Sequence, residues 1–250
     1  WINELKENNY LHNHTRMWFA SIWIFTLKLP WQQGAAFFLE HLLDGDSASN
    51  TLSWRWVAGL QTKGKHYLAN SWNIEKFTEN RFTNIQLNES AVPIIENKFY
   101  EICPMSFSNK DINNEILIVF DTDLFIDQYL NKYKKIYLVA PSNITRQVHL
   151  SEKVLDFKRN LINDVARSSD IIEVKNHDEL ISLFSHSKKF DLVYPFIGEN
   201  LDYINHLEKL YNLDLNKVFK EEDIYCWQFS NKGYFNFKNN IPKILGKYII

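Results

Sequence analysis

Asp44-Gly45-Asp46-Ser47-Ala48-Ser49-Asn50-Thr51-Leu52-Ser53-Trp54-Arg55-Trp56 decides how the first third of the chain is read. Asp46 stands where a helix N-cap belongs, since its carboxylate can accept from the orphan amides of a first turn. Ser47–Ala58 then reads as a helix that Gly59 closes. On it Asn50, Trp54 and Val57 share one face at i, i+4 and i+7. Upstream, Asn13-His14-Thr15-Arg16-Met17 gives a second helix on which Asn13, Arg16, Met17 and Ala20 share a face by the same rule. Two amides, a guanidinium, two acids and two indoles are thereby gathered on two short helices and the turn before one of them.

The surrounding segment reads helical throughout. Leu5, Trp18, Phe19, Ile22, Trp23 and Phe25 follow helical rather than alternating spacing. Pro30 ends that long helix, because its ring lacks an N–H and disfavours helical geometry in the residue before it. Gln32–Leu43 is a further helix closed by Gly45, and Trp72–Asn80 a short one beyond the Gly59 and Gly64 loop. Residues 83–114 are rich in Asn, Ser and Pro and read as a linker. From Glu115 the texture changes. Short β-rich runs at 116–120, 136–139, 171–174 and 192–194 alternate with helical patterns near 124–133, 147–166, 177–187 and 199–211. Continuous apolar strands separated by helices indicate a parallel sheet covered on both faces. The expected fold class is mixed: an all-α segment over 1–82, a linker over 83–114, and a doubly wound, Rossmann-like α/β domain of unassigned role over 115–250.

Composition sets the outer bounds. The 250 residues carry a formal charge of −2, which gives no global case for nucleic acid, and 15% aromatic residues. Locally, Arg55, Lys63, Lys65, Lys76 and Arg81 outnumber Glu75 and Glu79, an excess that suits phosphate contacts or equally a solvated mixed face. Cys103 and Cys226 are far apart, with no CxxC and no His at ligand spacing, so neither a disulfide framework nor a metal site is expected, in keeping with a reducing cytoplasm. No apolar run reaches the ~18 residues of a membrane span. The chain opens on Trp1 inside an apparent helix and reads as an N-terminally truncated fragment.

Residues 1 to about 82 resemble the C-terminal part of the FAD-binding helical domain of the DNA photolyase/cryptochrome family. The resemblance rests on the N-x-x-R-M helix, the Pro30-Trp31 turn, the apolar helix before Leu43, and D-G-D-x-x-x-N-x-x-x-W. It implies FAD as cofactor, with Arg16 and Asp44 as an ion pair beside the ring system. Asp46 would meet the ring's polar edge or the ribose, Asn50 would stand against N5, and Asn13 would line the adenine or diphosphate region. Trp54 and Trp31 align with two members of the family's electron-carrying tryptophan chain. The third would lie upstream of Trp1 or be replaced by a tryptophan such as Trp23. Trp56 matches a residue that packs beside a flipped pyrimidine dimer, and Met17 one typical of cyclobutane-dimer photolyases.

These residue types suit the chemistry. A flavin needs packing for an apolar ring, a few fixed hydrogen bonds and control of charge near N5. An indole is oxidisable and packs edge to face, while a flipped base needs flat apolar walls. The expected function is light-driven electron transfer from FAD to repair cyclobutane dimers in damaged DNA. The alternative is a cryptochrome-type blue-light sensor or flavin-binding protein without repair. A second antenna chromophore and the oligomeric state stay open. The chain departs from the family by placing an α/β domain after, rather than before, the helical domain. Within it Asp121-Thr122-Asp123 ends an apolar strand, an arrangement that serves either Mg²⁺-dependent phosphoryl chemistry or, more simply, a strand-end turn with Asp123 capping a helix.

Overall fold

The structure, a computed structural model, describes residues 1–62, 64–98, 100–101, 114–144, 146–166 and 170–248. Lys63, Cys103 and residues 102–113 of the expected linker lie outside the described residues. The chain forms two compact units, and each gathers more than one segment. One comprises Trp1–Glu101, Ala140–Val165 and Phe196–Ile204; the other comprises the described residues of Ile102–Val139, Ala166–Pro195 and Asn205–Ile250.

In the first unit, α1 (Ile2–Asn8), α2 (Asn13–Ser21), α3 (Trp31–His41), α4 (Ser47–Ala58) and α5 (Ser71–Phe77) follow one another. Asn9 ends α1 in the left-handed region at φ 55°. Its side chain donates to the His41 carbonyl at 2.7 Å, and its own carbonyl accepts from Leu43 N–H at 3.1 Å. The end of α1 is thus pinned to the turn that carries Asp44.

The long helix expected to run to Pro30 is interrupted earlier. After α2 the chain makes a π-turn over Ile22–Thr26, in which Leu27 N–H reaches back five residues to the Ile22 carbonyl at 2.8 Å. The burial pattern gives the reason: Phe19 and Ala20 are buried, and so are Ile24 and Phe25, each five residues on. An ordinary helix would carry one pair off the core face. Lys28, at φ 55°, stops the helix, and Pro30 instead immediately precedes α3. α5 likewise ends at Phe77 rather than Asn80, because Glu79 and Asn80 take positive φ.

Trp54, Phe38, Phe19, Phe25, Leu42 and Val57 centre the core of this unit. A satellite cluster joins Leu39 of α3 to Leu150, Val154 and Leu155, the last two from α6 (Glu152–Val165). Ser151 N–H caps the Glu40 carbonyl at 2.8 Å, and Lys153 Nζ caps that of Glu7 at 2.9 Å. Lysine at the end of α1 also complements the helix dipole.

The second unit holds a five-stranded, all-parallel sheet of β1 (Ile116–Phe120), β2 (Lys135–Val139), β3 (Ile171–Val174), β4 (Lys189–Val193) and β5 (Asp214–Val218), in the order β3-β2-β1-β4-β5. The order reverses between β1 and β4, which is the doubly wound signature. α7 (His177–His186) packs beside β3, and α8 (Glu199–Tyr211), α9 (Glu221–Trp227) and α10 (Tyr234–Tyr248) complete the chain. Three readings shift. β4 starts at Lys189 rather than Leu192, β5 is an unanticipated fifth strand, and the helix near 124–133 is a single 3₁₀ turn over Asp127–Tyr129. Asp191 explains the first two. This fully buried carboxylate on β4 accepts from Tyr133 Oη at 2.8 Å, Asn114 Nδ2 at 2.8 Å and Asn216 Nδ2 of β5 at 3.0 Å. A buried charge is tolerated where it is so saturated with donors. Among the described residues, no helix is long and apolar enough to cross a membrane.

Candidate cofactor site and aromatic path

α2 and the Leu42–Gly45 turn bring Arg16 and Asp44 together. The guanidinium forks onto the carboxylate, with Nη1 to Oδ2 at 3.0 Å and Nη2 to Oδ1 at 3.1 Å. Such paired, charge-assisted bonds fix orientation as well as distance. Arg16 Nε donates to the Leu11 carbonyl at 2.8 Å, and the Tyr10 ring lies 5.3 Å from the guanidinium carbon. Arginine is therefore held on three sides, while Asp44 stays 59% exposed on its side chain. The expectation that these two pair is met; the Tyr10 and Leu11 supports left no signal in the sequence.

α4 has the expected bounds, and Asp46 caps it by accepting from Ser49 N–H at 2.7 Å. One turn on, Asn50 donates Nδ2 to the Ala35 carbonyl of α3 at 2.7 Å. That bond fixes the amide plane and leaves Oδ1 without a bond among the described residues. Asn13 opens α2, exposed, with Nδ2 4.0 Å from the Met17 sulfur. A planar cofactor with a polar edge asks for such a set: a neutralised ion pair, an oriented amide and a second carboxylate beside apolar helices. The residues present fit FAD on that ground.

Trp54 is 2% exposed. Its ring meets Phe38 at 5.0 Å and 79°, Phe19 at 6.4 Å and 81°, and Trp23 at 6.4 Å and 85°, all edge to face. Room for it comes from Gly34, where a Cβ would stand 2.2 Å from Cη2 of the indole. Trp54 Nε1 is buried with no hydrogen-bond partner among the described residues, which is unusual for a core indole. Trp31 opens α3, half-buried against the same core, with the Arg55 guanidinium 5.7 Å from its ring. Among the described residues the tryptophan whose ring pairs with Trp54 is therefore Trp23, and Trp31 lies at the edge of the shared cluster.

Trp56 points elsewhere on α4. It is 40% exposed and stacks on Tyr67 at 6.0 Å and 22°. Tyr67 is half-buried, and burial pushes its phenol up from the ordinary range. Met17 is half-buried one turn from Asn13. Of the basic residues, Lys65, Lys76 and Arg81 are exposed, whereas Arg55 is tied to Glu96 at 2.9 Å. In the sheet unit, Asp123 caps no helix. Lys220 Nζ binds both its oxygens at 2.7 Å, and Asp123 also accepts from Phe125 N–H at 3.3 Å. Among the described residues no group of His, Cys, Asp and Glu could hold a metal ion.

Residues 1–87 match the family model described as the FAD binding domain of DNA photolyase. A deoxyribodipyrimidine photo-lyase of Streptomyces griseus is 44% identical over 61 residues, which is 24% of this chain and 13% of the relative. Its counterpart in Escherichia coli K12 is 33% identical over 66 residues, 26% of this chain and 14% of the relative. A cryptochrome DASH of Idiomarina loihiensis is 33% identical over 78 residues, 31% of this chain and 17% of the relative. The chain thus spans less than a fifth of the length of these relatives. No solved structure matches it. Residues 1–87 are thus similar to the FAD binding domain of DNA photolyase.

Proposed function

We propose that this protein takes part in light-driven electron transfer from FAD that repairs cyclobutane pyrimidine dimers in DNA, in the cytoplasm. The observation that carries the reading lies on one helix, α4. Asn50 offers an amide oriented by Ala35, and Trp54, one turn further, is buried among aromatic rings with its N–H unbonded among the described residues. Bound FAD would supply the light-absorbing electron donor and acceptor.

The chain's own residues have separate tasks. Arg16 and Asp44 hold the ring edge and keep its surroundings near neutral. Asp46 serves the polar edge or ribose, and Asn13 the adenine or diphosphate. Asn50 would offer its amide oxygen near N5 of a bound flavin, a neutral group able to accept a hydrogen bond without adding charge. Trp54 passes an electron inward, and Trp31, at the edge of the same aromatic cluster, is the further member of the chain. Trp56, exposed and backed by Tyr67, gives a flat wall against which an extruded base stacks, and Met17 would also contact the lesion. Among the described residues, Lys65, Lys76 and Arg81 are exposed cations that could meet phosphate.

The test is the absorption spectrum of the purified protein followed by light-dependent repair of dimer-containing DNA. Flavin bands with repair support the reading, and an additional near-UV band reveals an antenna. Flavin and photoreduction without repair assign the sensor role instead. Absence of flavin in a folded protein overturns both.

A further inference from the structure

The Arg55 guanidinium is held between two aromatic rings, with its carbon 5.7 Å from the centroid of Trp31 and 4.9 Å from that of Tyr100. The ring centroids therefore stand no further apart than those two distances laid end to end. Arg55 Nη1 also approaches Tyr100 Oη at 3.4 Å, and Nη2 pairs with Glu96 Oε2 at 2.9 Å. Tyr100 donates its hydroxyl to the other oxygen of Glu96 at 3.2 Å. This segment is anchored to the end of α4 and the loop after it: Ile94 N–H donates to the Ala58 carbonyl at 2.9 Å, and His66 Nε2 meets the Ala91 carbonyl at 2.8 Å.

We infer that Tyr100 is a terminal electron donor to Trp31, with Glu96 as the acceptor of its proton. The inference rests on the proposed function for the origin of the hole, since it requires Trp31 to be oxidised through Trp54. Its chemistry follows from the charges present. A cation beside both rings, with Lys98 a further 5.2 Å from Tyr100, opposes any positive charge that lingers on either. An indole radical cation carries such a charge. A phenol escapes it by losing its proton as it loses its electron. One electron passes from Tyr100 to the Trp31 radical cation, which returns to neutral indole. The hydroxyl proton passes to the Glu96 carboxylate, and a neutral phenoxyl radical remains. Glu96 is 33% exposed on its side chain and releases the proton to water, which restores its pair with Arg55. Arg55 holds that carboxyl below the usual range, so Glu96 is ionised and ready at neutral pH. Tyr100 is 59% exposed, which suits re-reduction by small solutes.

Pulse radiolysis with azide radicals, which oxidise tryptophan, tests this without flavin and so fails or succeeds apart from the cofactor reading. In the unaltered protein the indolyl band should decay as the phenoxyl band rises. Both Tyr100→Phe and Trp31→Phe should abolish the fast part of that rise, and Glu96→Gln should slow it about a hundredfold, the scale of a lost proton acceptor. Tyr100 is exposed, so its variant folds. An undiminished fast phase in Tyr100→Phe would place the phenoxyl on another tyrosine and overturn the inference. Loss in Tyr100→Phe but not in Trp31→Phe would overturn it equally, by removing Trp31 as the source.

Discussion

Gly34 and Trp54 occupy one volume: the site of a Cβ on Gly34 lies 2.2 Å from Cη2 and 2.5 Å from Cζ3 of the indole. Two opposed effects decide what Gly34→Ala does. Alanine in a helix interior gains about 1 kcal/mol over glycine. Overpacking a filled core costs about 1–3 kcal/mol, and the obstruction here is a rigid ring closed in by Phe38, Phe19 and Trp23, so the upper end applies. The expected net loss is about 2 kcal/mol by denaturant titration. A stabilised variant would mean that Trp54 is free to move, contrary to its burial.

The Arg16–Asp44 pair separates cofactor binding from folding. A surface carboxylate pair contributes only about 0–1 kcal/mol to stability, and Asp44 is 59% exposed on its side chain. Asp44→Asn should leave the melting temperature nearly unchanged while most of the flavin is lost on gel filtration. The reverse outcome, flavin retained and several degrees of melting temperature lost, would make the pair a structural strut.

How much of this was legible in the sequence depends on whether a position announced itself by period or by charge. α4 was readable to the residue because Asp46 and Gly59 bracket it, and the Arg16–Asp44 pair followed from family spacing. The π-turn was not, because apolar residues fill every position from Trp18 to Leu27 except Ser21 and Thr26 and hide a shift from four to five. β5 was missed because Asp214, Asn216 and Lys217 break its apolar run, although Asn216 is 4% exposed. Its polarity is paired to Asp191, which itself disguised the start of β4. A solitary Gly34 inside a helical pattern was the available signal for the seat of Trp54.

The sheet unit should weaken in alkali through buried tyrosines. Burial, then the hydrogen bond to Asp191 and its charge, raise the Tyr133 phenol; burial and then Asp123 push Tyr129 up to about 12. In the unfolded chain both ionise near the ordinary 10.0. Above that pH the unfolded state holds fewer protons than the folded one, so stability falls as pH rises, and for Tyr129 the fall continues to about 12. Denaturation monitored across this window should show the decline, and Tyr133→Phe should flatten it. A flat profile in the unaltered protein would mean that these phenols reach water in the native state.

Trp54→Phe asks whether the buried indole carries electrons or only fills space. Phenylalanine keeps an edge-to-face ring among Phe38, Phe19 and Trp23 but is smaller, and at a site 2% exposed the vacated volume costs a fraction of a full truncation, about 1–2 kcal/mol. No hydrogen bond is lost, because Nε1 has no partner among the described residues. The variant should therefore fold and keep its flavin. If Trp54 is the donor nearest the cofactor, flavin photoreduction should nonetheless collapse, since phenylalanine is far harder to oxidise than indole. Trp31→Phe and Trp23→Phe then divide the onward route. The first should reduce the long-lived photoreduced yield if the path runs towards Arg55, and the second should do so if it runs through the ring 6.4 Å away. Photoreduction at the unaltered rate in Trp54→Phe would leave packing as the only role of this residue.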